Sequence, residues 1–81
     1  MYYIYVIQSK KDKNLYIGYT DNLVKRFKEH NIGLVESTKH RKPFIIVYYE
    51  ACNVLKDAVK REKSLKTGFG RAYLKRRLSD I

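Results

Sequence analysis

Along the chain, apolar and polar positions change period several times, and each change marks an element. Residues 2–9 (YYIYVIQS) and 15–19 (LYIGY) are β-branched and aromatic, and the KKDKN between them is polar with turn formers, so the first twenty residues predict a β-hairpin. With the loop at 10–13, Ser9 faces Asn14, and Tyr3, Tyr5, Ile7, Tyr16 and Gly18 share one face, Tyr5 opposite Gly18 and diagonal to Tyr16. Thr20 or Asp21 is positioned to cap a helix running through about residue 31, after which Gly33 supplies a stop. Residues 34–42 read as a polar, basic loop, and FIIVYYEA at 44–51 as a third strand entered through Pro43, which has no amide proton to give to a ladder. Asn53 is placed to cap a second helix over about 54–66, and Thr67, Gly68 and Gly70 break the chain before a short basic helix at about 71–78. The order ββαβαα predicts a small α/β or α+β sandwich, a sheet of three strands packed against helices.

Polar residues on the apolar faces carry the chemistry. On the second helix Leu55, Ala58, Val59 and Leu65 form a stripe, and Glu62 falls near its middle. A carboxylate aimed at a core must be paired, metal-bound or able to reach a cleft, so Glu62 is either half of an ion pair or a metal ligand. On the first helix Leu23 and Phe27 face inward, while Arg26 and His30 lie at i and i+4 on a flank of the same face. Arg suits bidentate capture of a phosphate and His moves protons near neutral pH. The plainer alternative is a partly exposed Arg beside a His whose charged form the helix dipole favours. The eight tyrosines suit half-buried strands for packing reasons alone, and Tyr48 and Tyr49 must face opposite sides, so at most one of them joins Tyr5 and Tyr16.

At 81 residues, 44% of them hydrophobic, the chain reads as one small domain over 1–81 with an open cleft rather than a deep pocket. Eighteen Lys and Arg against eight Asp and Glu give a net charge of +10, which favours a polyanionic partner. The run Arg71, Lys75, Arg76 and Arg77 is either a solvated basic face or a track for phosphates. No apolar run approaches the roughly 18 residues of a membrane span and the N-terminus lacks a signal-peptide pattern, so a cytoplasmic location is expected. The single Cys52 reads as a small buried residue, and too few Cys and His are present for a structural zinc site.

Together these residues resemble the GIY-YIG nuclease family, particularly its small stand-alone members related to the N-terminal catalytic domain of the nucleotide-excision-repair endonuclease. The resemblance rests on Tyr3-Ile4-Tyr5 in place of the first tripeptide, Tyr16-Ile17-Gly18 as an intact second one, and Thr20-Asp21-Asn22-Leu23 followed by Arg26 and His30. Pro43 to Glu50 and Arg61-Glu62-Lys63 complete it. It implies a three-stranded antiparallel sheet flanked by helices, and a DNA endonuclease of repair or recombination that hydrolyses phosphodiesters with magnesium or manganese. By position Glu62 would bind the metal and Arg26 would hold the scissile phosphate. Tyr5 and Tyr16 would orient or deprotonate the attacking water, and His30 would assist proton transfer or help hold a phosphate. Gly18 would be structural, allowing close approach beside Tyr5. The implied partner is nucleic acid, most readily DNA, and not a membrane; cutting both strands would call for a homodimer or a protein partner, since one metal site cuts one strand at a time.

Two positions depart from the family pattern. Tyr3 stands where the family name has Gly, and Tyr73 and Leu74 lie where many catalytic relatives carry a polar residue, commonly Asn. The second departure keeps open a different class, a binding module that recognises branched or single-stranded nucleic acid without turnover.

Overall fold

The structure, a computed structural model, describes residues 1–78. Strands β1 (Tyr2–Ser9) and β2 (Leu15–Thr20) form the hairpin, helix α1 (Leu23–Asn31) follows, and β3 (Phe44–Cys52) precedes helices α2 (Leu55–Leu65) and α3 (Gly68–Arg77). The sheet is antiparallel with order β2-β1-β3, an α+β fold in the order ββαβαα. The hairpin has the register read from its loop: Tyr5 opposes Gly18, Ile7 opposes Tyr16, and the Ser9 amide donates to the Asn14 carbonyl at 3.0 Å.

Strand alternation sends Tyr5 and Ile7 to the front of the sheet, where they meet Phe44, Leu23 and Phe27, and Ile4 and Val6 to the back, where they pack on Ala58, Leu65 and Leu74. A bulge in β3 interrupts that alternation, since Val6 pairs with Tyr48 and Ile7 with Ile46. Both Val47 and Tyr48 consequently pack on the back cluster, while Tyr49 faces Tyr3 at the front.

Several boundaries differ from expectation, each for a physical reason. Thr20 is still paired with Tyr3 in the sheet, so neither it nor Asp21 caps α1; Asn22 does, its side chain accepting from the Lys25 amide at 3.1 Å. Asn53 does not cap α2, which starts behind Val54 without any side-chain cap. The loop after α1 contains a 3₁₀ turn (Lys39–Arg41), and it buries Val35 and Thr38. Leu55 leaves the apolar stripe and is exposed, and Cys52 is half-buried rather than buried.

The glycines before the last helix lie inside it. Thr67 caps α3 by accepting from the Gly70 amide at 3.2 Å, and Gly70 seats against the end of α2, where a Cβ would overlap the Leu65 backbone and the Ser64 carbonyl. Gly70→Ala should therefore cost at least the roughly 1–3 kcal/mol typical of over-packing. Gly68→Ala, which meets nothing within 4 Å, should be neutral or stabilising. Urea midpoints of the two variants check the contrast; equal midpoints would remove the close-approach argument.

Candidate active site

The hairpin register sets Tyr5 and Tyr16 on one patch, their ring centroids 6.4 Å apart. Helix α1 crosses this patch and is pinned at its end by Asn31, whose side chain accepts from the Phe44 amide at 2.6 Å and donates to the Phe44 carbonyl at 3.1 Å. That clamp seats His30 edge-on against both tyrosines, with centroids 5.6 Å from Tyr5 and 5.1 Å from Tyr16. Tyr5 lies over Gly18 so closely that a Cβ there would sit 2.6 Å from the phenol oxygen, so any side chain at that point of β2 would displace the Tyr5 ring.

His30 is 0% exposed, and its ring is held at both nitrogens, Nε2 at 2.8 Å from the Tyr5 hydroxyl and Nδ1 at 2.8 Å from Thr38 Oγ1. The Thr38 hydroxyl donates to the Val35 carbonyl at 3.4 Å, so its oxygen accepts from Nδ1–H and the Nε2 lone pair accepts from the Tyr5 O–H. This chain points the Tyr5 proton inward. Burial raises the Tyr5 pKa above its usual 10, against the neighbouring Arg26 guanidinium, which lowers it. Burial, reinforced by the Arg26 charge, takes His30 down to about 4. Desolvation thus overrides the helix dipole that would favour imidazolium at this end of α1.

The depressed His30 pKa is also a stability statement. Between about pH 4 and its ordinary 6.5 the unfolded chain binds a proton there that the folded chain does not, so stability falls as pH drops through that window. The loss from pH 7 to pH 4 should be roughly 3 kcal/mol from this residue. Urea titrations of the wild type and His30→Asn should differ in pH slope across that range, and parallel slopes would refute the assignment.

An open cleft of about 680 Å³ takes in Tyr5, Tyr16 and Gly18 from the front of the sheet, Tyr2 and Tyr19 from the back, Arg26 from α1 and Glu62 from α2. Residues of both faces and of helices on both sides meet there, so the cleft wraps the free edge of β2. Arg26 lines it with its side chain 37% exposed and one nitrogen 3.2 Å from Glu29. The Glu62 side chain is 13% exposed and its carboxylate accepts from Lys66 Nζ at 2.9 Å. The ion pair considered for Glu62 thus exists, and the carboxylate also reaches the cleft. Its neighbour Arg61 turns away and grips Glu50 with two bonds of 2.9 and 2.8 Å.

Of the residues singled out in the sequence, Tyr5, Tyr16, Gly18, Arg26 and Glu62 line this one cleft, while His30 stands behind Tyr5 and is not among the lining. The basic run divides. Arg71 and Lys75 line a second cleft, whereas Arg77 donates to the Tyr73 hydroxyl at 3.1 Å and Arg76 is exposed away from both. No local pattern marks the roles of Thr38 and Asn31, and Thr38 lies in a stretch without periodicity.

Comparison with known proteins bears on these features. A family model described as the GIY-YIG catalytic domain matches residues 1–78. The chain belongs to the GIY-YIG family. It is 39% identical over 67 residues to a UPF0213 protein of Staphylococcus haemolyticus, covering 82% of this chain and 80% of that one. It is 40% identical over 67 residues to a UPF0213 protein of Clostridium perfringens, with 82% and 71% covered. The solution structure of a UPF0213 protein from Bacillus halodurans superposes with a TM-score of 0.56 at 29% identity, over 91% of this chain and 82% of that one. GIY-YIG proteins are generally nucleases that act on DNA with a divalent metal. The departure at Tyr73 lies outside the cleft: its hydroxyl is 2.9 Å from that of Tyr48, and Arg61 and Arg77 stack on its ring.

A divalent ion can be tested against the donors present. Among the described residues no three His, Cys, Asp or Glu cluster, which disfavours zinc. Magnesium and manganese suit the site better, because magnesium is commonly held by one or two carboxylates plus water and substrate phosphate oxygens. Glu62, almost enclosed and lining the cleft with Arg26, fits that requirement.

Proposed function

We propose that this protein is a metal-dependent DNA endonuclease, a single nuclease domain of cytoplasmic DNA repair or recombination. The observation that carries the reading is the convergence of Tyr5, Tyr16, Arg26 and Glu62 on one open cleft at the edge of β2. Glu62 would hold magnesium or manganese, which when bound would neutralise phosphate charge and acidify a water. Arg26 binds the scissile phosphate and meets the negative charge that develops on its oxygens. Tyr5 turns its hydroxyl proton toward His30 Nε2, so that as the phenol oxygen takes a proton from the attacking water its own proton passes to His30. Tyr16 bounds the same patch and orients that water. His30, sealed behind Tyr5, positions the phenol rather than touching phosphate. Its low pKa is partly the repulsion of Arg26, so a phosphate seated on Arg26 relieves the repulsion and makes His30 a better proton acceptor when substrate is present. The surplus of ten positive charges draws the polyanion to the surface.

The test is incubation of supercoiled plasmid and of labelled branched and single-stranded DNA with magnesium or manganese, and with chelator as control. Nicking that chelator stops is expected. Salt-sensitive binding without cleavage on every substrate would instead move the assignment to a recognition module that keeps the fold.

A further inference from the structure

A second cleft, of about 710 Å³, lies beside the first and shares Tyr16 with it. Its rim is cationic: Lys13 from the hairpin turn, Lys66 at the end of α2, and Arg71 and Lys75 from one face of α3. Among the described residues no carboxylate lines it, whereas Asp21, Glu29 and Glu62 line the catalytic cleft. Lys66 joins the two, since the same ammonium that edges the groove bonds Glu62. Lys13 is held in place by a left-handed backbone (φ 66°) and by the Gln8 side chain, which donates to its carbonyl at 3.0 Å. Among the described residues Lys13, Arg71 and Lys75 form no ion pair, so their charge is free for a ligand.

The floor between these cations is apolar, formed by Leu15, Ile17 and Leu74. A duplex keeps its base faces stacked inside, so it has none to place on such a floor. An unpaired strand can lay its base faces on this floor while its phosphates meet the rim, a cationic track beside an apolar surface. We infer that this groove binds an unpaired nucleic-acid strand leaving the catalytic cleft, so that the preferred substrate carries a single-stranded flank next to the scissile phosphate. The inference rests on the nuclease reading for what happens in the first cleft, but the binding it describes can be measured without cleavage.

The experiment is fluorescence anisotropy in chelator with a labelled duplex bearing an unpaired tail of about ten nucleotides, within single-strand site sizes, and with the same duplex blunt. Wild type should bind the tailed DNA about tenfold more tightly, a difference of about 1.4 kcal/mol. Arg71→Glu with Lys75→Glu should abolish that preference and flatten the salt dependence by about 0.7 per lost phosphate contact. Lys13→Glu, on a separate element, should weaken the preference independently. Lys56→Glu with Lys60→Glu makes the same charge change on exposed positions outside both clefts and should keep the preference. Equal binding of tailed and blunt DNA by wild type, or equal loss in the groove and control pairs, would overturn the inference. Cleavage of the same substrates in magnesium separates the two ideas. Tail preference without cutting by wild type retains the groove and removes the nuclease, whereas cutting without tail preference does the reverse.

Discussion

Glu62→Ala should reduce metal-dependent cleavage to background while the protein stays folded. The carboxylate is almost enclosed yet lines the cleft beside Arg26, and its one described partner is Lys66, an exposed residue four positions along the same helix. Such an i,i+4 pair contributes about 0.3–0.5 kcal/mol, so its loss should lower the melting temperature by no more than a few degrees. The expected effect on rate is of another order. A metal ion supplies several kcal/mol of transition-state stabilisation, and each 1.36 kcal/mol is a factor of ten, so losing its carboxylate should cost about a thousandfold or more. Plasmid nicking by wild type and variant purified in parallel, with thermal melts of both, reads the two quantities separately. Full activity in a folded Glu62→Ala variant would remove Glu62 from metal binding and leave it as a helix ion pair.

Glu62 was legible because local pattern and charge conflict: a stripe of Ala58, Val59 and Leu65 demands an apolar neighbour, and the sequence supplies a carboxylate. The hairpin was legible for a related reason. Its alternation, with the loop at 10–13, fixes which residues share a face, so the approach of Tyr5 to Tyr16 and Gly18 follows from period and loop length together. What escaped depends on tertiary contacts that no local rule encodes. Glycine is a poor helix former in isolation, so Gly68 and Gly70 read as breaks, but the close seating of α3 on Leu65 requires a residue without a side chain. Starting the helix at Gly68 also fixes how the basic run is displayed, and Arg71 and Lys75 part company with Arg76 and Arg77 around its axis. Thr38 was invisible because its role is to bond a histidine eight residues earlier from a loop without periodicity.

Tyr5→Phe should lower cleavage about 10²–10⁴-fold, the range in which positioned general acids and bases act, without weakening DNA binding in chelator. The substitution keeps the ring that covers Gly18 and removes only the oxygen bonded to His30 Nε2. It leaves that buried nitrogen unpartnered, at a cost of about 1–3 kcal/mol of stability, so rates must be compared well below both melting temperatures. Thr38→Val separates chemistry from stability. It removes the acceptor of His30 Nδ1–H, imposes a similar penalty, and lies outside the cleft lining. If Thr38 sets the tautomer that turns the Tyr5 proton inward, Thr38→Val should slow turnover about tenfold, at a flanking-strand affinity equal to wild type, with Thr38→Ser restoring it. The pH dependence of turnover should shift in Thr38→Val as well, because the imidazole can then present a proton rather than a lone pair to Tyr5. A Tyr5→Phe enzyme that cuts at the wild-type rate would take the phenol out of the reaction and leave Tyr16, which lines the cleft from the front of the sheet, to orient the water.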